Sequence, residues 1–150
     1  MVVEFFIQRV PKFRVASIVR VGPWKEDNLR SEFRELIAWA RGQKVRTGRW
    51  IFFERDRNRW EACLELGGPA EVGGRVRLKT LSPTWAACVT FDPDAVSSRV
   101  VYHALNDWLR WRRKDGTIKS VTGVREVYDG DPWASRKAWA HCTVQFLVRR

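Results

Sequence analysis

Apolar and polar residues alternate along much of this chain in short runs typical of β-strands that bury one face. In the first half these runs are Val2 to Val10, Phe13 to Val21, Arg49 to Glu54 and Trp60 to Leu66. Between the second and third runs, apolar residues recur at positions 29, 33, 36, 37 and 40, the spacing of an amphipathic helix. Asp27 or Asn28 is predicted to cap this helix, and Gly42 to end it.

The same order of elements returns after a Gly-rich connector at positions 67–74. The second half carries predicted strands at Val76 to Leu81, Trp85 to Phe91, Val124 to Tyr128 and Trp139 to Val148, and a helix from about Ser97 to Arg113. The helix stops, Gly42 and Gly116, are separated by nearly the same number of residues as Trp60 and Trp139, near the starts of the two final strands. A near-constant offset is what a duplicated unit produces.

This pattern predicts an α+β fold of tandem β-α-β-β repeats related by a pseudo-twofold axis. Repeat one covers about 1–66 and repeat two about 75–150 of a single domain. Such units form a curved antiparallel sheet with two helices on one face, and a ligand cleft is expected between the repeats.

The composition adds aromatic rings and positive charge to this picture. Nine Trp and eight Phe in 150 residues favour an aromatic-lined cavity beside the core. A net charge of +11 raises nucleic acid or an anionic surface as a partner. The basic residues are scattered among apolar and acidic neighbours without a nucleic-acid-binding motif, so specific nucleic-acid binding is not expected.

The sequence lacks the residue patterns of disulfide frameworks, metal sites and several enzyme classes. The three Cys are odd in number without a Cys-x-x-Cys spacing, which favours buried thiols in a reducing compartment. His103 and His141 are far apart in sequence, so no metal site is expected. The chain lacks the Gly-x-Ser-x-Gly elbow of a serine hydrolase and a Gly-rich phosphate loop, so these enzyme classes are excluded, and no cofactor is expected. No run reaches the roughly 20 apolar residues of a membrane span, and the N-terminus lacks a signal-peptide pattern. A cytoplasmic protein with no membrane partner is expected, and its oligomeric state stays open.

Two acids are candidates for a ligand site. Glu126 and Tyr128 are two residues apart in a predicted strand, so they share a face. Glu61 begins the last strand of the first half beside Trp60. A carboxylate among rings suits a flat, cationic ligand or works as a general acid or base. The alternatives are an exposed Glu126 on an edge strand, and a Glu61 paired with an arginine of positions 55–59.

Aromatic residues near these acids are candidate walls of the cleft: Trp24, Phe53, Trp85, Tyr128 and Trp139. Cys142 is included among the ligand-binding residues. As a nucleophile paired with His141 it is discounted, because adjacent residues on a strand point to opposite faces.

In their order along the chain, three segments resemble the GyrI-like small-molecule-binding domain family, which includes the gyrase-inhibitory protein and drug-binding domains of multidrug-responsive transcription regulators. The segments are Val21-Gly22-Pro23-Trp24, Phe33-Arg34-Glu35-Leu36-Ile37-Ala38-Trp39, and Glu126-Val127-Tyr128 before a Trp-initiated final strand. The resemblance implies a tandem β-α-β-β (SHS2-type) fold in which Glu126 meets cationic aromatic ligands, and it matches Glu61 to a common acid position. Relatives commonly carry another acid in the final strand, where this chain has Ala140-His141-Cys142-Thr143.

The resemblance implies a free-standing binder of hydrophobic, aromatic, cationic small molecules, acting in drug or toxin sensing or sequestration. Some relatives hydrolyse strained electrophiles, so the alternative is a hydrolase of compounds such as cyclopropane-bearing alkylators that uses Glu126 or Glu61. A third hypothesis is a basic surface that binds nucleic acid or a protein partner.

Overall fold

The computed structural model of the chain describes residues 3–92, 94–134 and 142–150. The elements, in chain order, are β1 (Phe6–Val10), β2 (Phe13–Val21), α1 (Glu26–Gln43), β3 (Thr47–Asp56), β4 (Arg59–Leu66), β5 (Arg77–Leu81), β6 (Thr84–Thr90), α2 (Ser98–Lys114), β7 (Ser120–Tyr128) and β8 (Thr143–Arg149).

The eight strands form one open antiparallel sheet in the order β1-β6-β8-β7-β3-β4-β2-β5. This α+β architecture of one antiparallel sheet and two helices confirms the predicted fold class. Strands β3 and β7 lie in the middle of the sheet, where Phe52 is directly opposite Glu126. Trp50 is opposite Tyr128 in the same ladder.

Both helices cover the same face of the sheet. The predicted apolar stripe of α1, including Leu29, Phe33 and Leu36, is buried against alternate residues of β2, β3 and β4. Helix α2 buries Val101 and Leu105 against β6, β7 and β8. Burial of these stripes removes apolar surface from water, the main favourable contribution to folding.

The opposite face of the sheet is also apolar at many positions. Phe13, Ile51, Cys63 and Leu147 are among its buried residues. Because successive side chains of a strand alternate in direction, β3, β4 and β7 present one set of residues to the helices and another to this second face.

The ends of α1 differ from the prediction. The helix begins at Glu26 after Lys25, whose side chain makes no capping hydrogen bond. Glu26 and Asp27 lie in the first turn, where carboxylates interact favourably with the helix dipole. The helix continues past Gly42 to Gln43, and Lys44 ends it in the left-handed conformation, with φ of 55°.

Neither α1 nor α2, the helices within the described ranges, is long and apolar enough to cross a membrane.

Candidate ligand-binding site

The carboxylate of Glu126 lies on the helix-covered face at the middle of the sheet and accepts hydrogen bonds from two phenols. Tyr128, two residues further along β7, donates to Oε2, and Tyr102 of α2 donates to Oε1 over 2.6 Å. The chain has only these two tyrosines. The contact between Glu126 and Tyr128 confirms that they share a face, and Tyr102 ties α2 to the same carboxylate.

Both phenols are held in their neutral form. Burial raises the pKa of Tyr102 and of Tyr128, and the charge of Glu126 raises both pKa values further. A neutral phenol donates its proton to the carboxylate, so the two tyrosines orient Glu126 without cancelling its charge.

Two hollows meet at this carboxylate and share Trp24, Glu126 and Tyr128. The α2-side hollow has a volume of about 260 Å³ and also contacts Phe91, Ser98, Tyr102, Cys142 and Val144. The α1-side hollow, of about 280 Å³, also contacts Glu26, Leu29, Phe33, Phe52, Pro132 and Trp133.

Trp24 lines both hollows and is 47% exposed. Its position follows from the turn after β2, where Gly22 has φ of +119°, a conformation that residues with a Cβ rarely adopt. The amide of Gly22 donates to the carbonyl of Asn58 over 2.7 Å, which joins this turn to the β3–β4 hairpin. The Trp24 ring lies 6.0 Å from that of Phe52.

Trp133 forms the far wall of the α1-side hollow. Its backbone amide donates to Asp131 over 2.8 Å, and its indole Nε1 donates to Glu26 over 3.1 Å. Its ring packs 6.0 Å from that of Phe33. Side chains of α1 and of the segment after β7 therefore fix this ring in place.

A second carboxylate lies near Glu126 on the neighbouring strand. Glu54 of β3 is half-buried, and burial, followed by the charges of Glu126 and Asp56, raises its pKa. Cys142 is a buried thiol in the α2-side hollow, and burial together with the charge of Glu126 raises its pKa to about 12. At neutral pH this thiol is protonated, so it provides a soft, uncharged wall.

The walls of both hollows, as far as the structure describes them, contain no Lys or Arg side chain. Their charged members are Glu126 and Glu26. Among the described residues no group of three or more His, Cys, Asp and Glu is arranged to hold a metal ion. The described walls of the two hollows thus combine aromatic rings with acidic side chains.

The structure brings together four of the candidates from the sequence: Trp24, Glu126, Tyr128 and Cys142. Trp85 lies elsewhere, with the guanidinium groups of Arg9 and Arg150 5.9 Å and 4.5 Å from its ring. Trp139 falls outside the described residues, as does His141.

Glu61 and Phe53 lie on the face of the sheet opposite the helices. Glu61 is fully buried and pairs with Lys79 over 2.5 Å and with Arg55 over 3.4 Å. Phe53 is buried, and the guanidinium carbons of Arg55 and Arg125 lie 4.5 Å and 4.8 Å from the centre of its ring. The sequence alternative of an arginine partner for Glu61 is thus present, and the structure does not bring Glu61 to Glu126.

Sequence reasoning missed Tyr102, Phe52, Trp133 and Glu54. One feature of the sequence pointed to Tyr102: it follows the buried Val101 and lies beside the apolar stripe of α2. Phe52 and Glu54 alternate with Phe53 along β3, but only the pairing of β3 with β7 shows that they face Glu126. Trp133 lies in a non-repetitive segment without any periodic signal.

Comparison of the sequence with family models finds no match, and comparison with curated proteins finds none either. Solved structures share the fold at low sequence identity. EcmrR in its DNA complex has a TM-score of 0.76 at 15% identity, over 99% of this chain and 58% of that chain. The C-terminal domain of EcmrR has a TM-score of 0.72 at 15% identity, over 100% of this chain and 99% of that domain.

SAV2435 bound to tetraphenylphosphonium has a TM-score of 0.58 at 9% identity, over 98% of this chain and 94% of that chain. These structures are similar to this chain in fold, and that fold is consistent with the GyrI-like fold expected from the sequence.

Proposed function

We propose that this protein binds hydrophobic, aromatic cations in the two hollows, with Glu126 as the anionic anchor. Trp24, Tyr128 and Cys142 are proposed walls, together with Tyr102 and Trp133. A ligand with several rings can reach both hollows, because they share Trp24, Glu126 and Tyr128.

The observation that carries this proposal is the charge of the cleft. The chain has 28 Lys and Arg against 17 Asp and Glu, yet the described walls of both hollows include acids and no basic side chain. Glu126 is partly buried in an apolar, aromatic setting, where its attraction to a cation is less screened than at an exposed surface. Such a site favours a cation over an anion or a neutral analogue.

The rings supply the second part of the recognition. Trp24, Tyr128 and Trp133 present faces or edges to the hollows, and aromatic faces attract cations as well as other rings. The structural neighbour SAV2435 is bound to tetraphenylphosphonium, an aromatic cation, which supports the same ligand class for this fold.

We also propose that residues 1–150 form one ligand-binding domain of two β-α-β-β repeats, about 1–66 and about 75–150. The sheet order supports this, because β1, β2, β3 and β4 occupy positions equivalent to those of β5, β6, β7 and β8 about the β3–β7 pair. The edge strands are exchanged, since β1 pairs with β6 and β5 pairs with β2. A curved sheet would place the cleft on the pseudo-twofold axis.

Titration with tetraphenylphosphonium, followed by tryptophan fluorescence, tests the proposed function. Trp24 and Trp133, of the tryptophans that the structure describes, line the hollows, so saturable quenching is expected. Glu126→Gln removes the charge at nearly constant shape and is expected to weaken the affinity about tenfold, equivalent to about 1.4 kcal/mol.

Glu71→Gln is the matched control, because Glu71 is exposed in the connector between β4 and β5 and contributes to neither hollow. It removes one negative charge and should leave the affinity unchanged. Equal weakening in both variants, or no saturable quenching of the wild-type protein, would contradict the proposal.

A further inference from the structure

A cavity of about 390 Å³ lies on the sheet face opposite the helices, and its wall is basic. We call it the basic cavity and define it by three cationic and four hydroxyl-bearing residues: Arg55, Lys79, Arg125, Thr80, Ser82, Thr84 and Thr122. Phe53 and Leu81 add apolar surface. The basic cavity shares no wall residue with the two hollows around Glu126.

Arg125 is the unusual member of this wall. Its exposed fraction is 3%, and its Nε and Nη1 atoms have no hydrogen-bond acceptor within the described residues. The guanidinium carbon lies 4.8 Å from the centre of the Phe53 ring, a cation–π contact that orients the group without satisfying its N–H donors. Burial lowers the pKa of Arg125. Buried guanidinium donors without acceptors are costly, and native proteins rarely retain them.

Glu61 is the acid whose charge acts on Arg125, and it already forms ion pairs with two other cations. One oxygen of Glu61 meets Arg55 over 3.4 Å, and the other meets Lys79 over 2.5 Å. The cavity wall therefore holds three basic groups for one nearby carboxylate, and that carboxylate leaves Nε and Nη1 of Arg125 without an acceptor.

We propose that the basic cavity is a binding site for a small molecule that carries an oxyanion, a carboxylate or a phosphate group, with Arg125 as its anchor. A guanidinium donates charge-assisted hydrogen bonds to such a group, which would give an acceptor to the unpartnered N–H donors of Arg125. Phe53 and Leu81 fit an apolar portion of the ligand.

This site and the proposed cation site occupy opposite faces of one strand. Arg125 and Glu126 are neighbours on β7, and alternation directs the guanidinium to one face and the carboxylate to the other. The two sites therefore predict opposite ligand charges and can be tested separately.

Titration of the full chain with inorganic phosphate and with malonate, at constant ionic strength, tests the proposal. Amide resonances of Thr84, Thr122 and Arg125 in a ¹H–¹⁵N spectrum are expected to shift saturably. Stronger binding of phosphate would identify a phosphorylated ligand class, and stronger binding of malonate a carboxylate class. Absence of saturable shifts with both anions would overturn the proposal.

Arg125→Met tests the anchor while keeping an unbranched side chain in the buried position. Replacement of a buried charge by an apolar residue is often tolerated, so the variant should fold, and its affinity for the preferred anion should fall at least about tenfold. Arg34→Met, at an exposed position of α1, removes the same charge and should retain the affinity. Retention of the affinity by folded Arg125→Met would overturn the proposal.

Arg125→Lys is the second variant, which keeps the charge and loses the planar fork. It should bind the preferred anion more weakly than the wild type, and unchanged binding would overturn the anchor role.

Discussion

Trp24 and Trp60 show how differently two tryptophans of this chain are used. Trp24 is 47% exposed and lines both hollows, whereas Trp60 is 1% exposed in the core beneath α1. Trp24→Ala should weaken tetraphenylphosphonium binding about tenfold and change the free energy of unfolding by less than about 1 kcal/mol. Trp60→Ala should lower the free energy of unfolding by about 3–5 kcal/mol.

Urea denaturation and ligand titration of both variants measure these effects. A Trp24→Ala variant with wild-type affinity would contradict its place in the ligand site, and a large stability loss would show a core role instead.

The two tyrosines predict a distinct behaviour in alkaline solution. An unperturbed phenol ionises near pH 10, whereas burial and Glu126 raise the pKa of Tyr102 and of Tyr128 in the folded protein. Their contribution to stability is therefore complete below about pH 10, and it falls as the pH rises above that value, where only the unfolded chain releases the protons.

Absorbance at 295 nm should show little phenolate in the native protein at a pH where the urea-unfolded chain is largely ionised. Native phenolate formation near pH 10 would contradict the buried contacts to Glu126.

At the residue scale, local sequence predicted which side chains of one strand share a face, because successive side chains of a strand alternate in direction. Glu126 and Tyr128 share a face because they are two apart on a strand, and the hydrogen bond between them confirms it. Local sequence does not show whether Glu61 points to the helix-covered face or to the opposite face, because the packing of the helices on the sheet decides this. Tyr102 reaches Glu126 only because α2 packs across β7, a contact between residues 24 positions apart that no local pattern contains.

At the scale of elements, the C-terminal end of α1 has an unfavourable backbone conformation whose effect on the free energy of unfolding can be measured. Lys44 is exposed and left-handed, with φ of 55° and ψ of 36°, and its amide donates to the carbonyls of Ala40 and Arg41. A residue with a Cβ is less stable in this conformation than glycine by roughly 1–2 kcal/mol. Lys44→Gly should raise the free energy of unfolding by about 1 kcal/mol and leave ligand affinity unchanged.

Lys44→Ala is the control, since it removes the same side chain but keeps the Cβ. Urea denaturation should show no gain for alanine. A loss of stability in Lys44→Gly would contradict the strain assigned to this cap.

The helices and strands were predictable where apolar residues recur with a clear period. The stripe of α1 at Leu29, Phe33 and Leu36 is buried as predicted. The ends were less predictable, because Gly42 is compatible with a helix end yet lies inside α1. Strand β7 begins at Ser120, earlier than its apolar run, because pairing with β8 extends it.

At the scale of the whole molecule, the net charge of +11 is a poor guide to the ligand. Basic groups surround Phe53 on one face of the sheet, while the hollows on the helix-covered face contain Glu126 and Glu26 without a basic wall residue among those described. The overall charge raised an anionic partner, which the scattered basic residues already argued against, and the local charge of the cleft supports a cationic ligand. Only the folded structure shows that the basic groups and the acidic hollows lie on opposite faces of the sheet.

The central claim, that the charge of Glu126 selects a cationic aromatic ligand, is tested most directly by calorimetry with two ligands and two proteins. The ligands are tetraphenylphosphonium and the neutral triphenylphosphine oxide, and the proteins are the wild type and Glu126→Gln. The wild type should prefer the cation by at least about tenfold, and Glu126→Gln should lose that preference while its affinity for the neutral ligand stays similar. An equal preference for the cation in both proteins would contradict the claim.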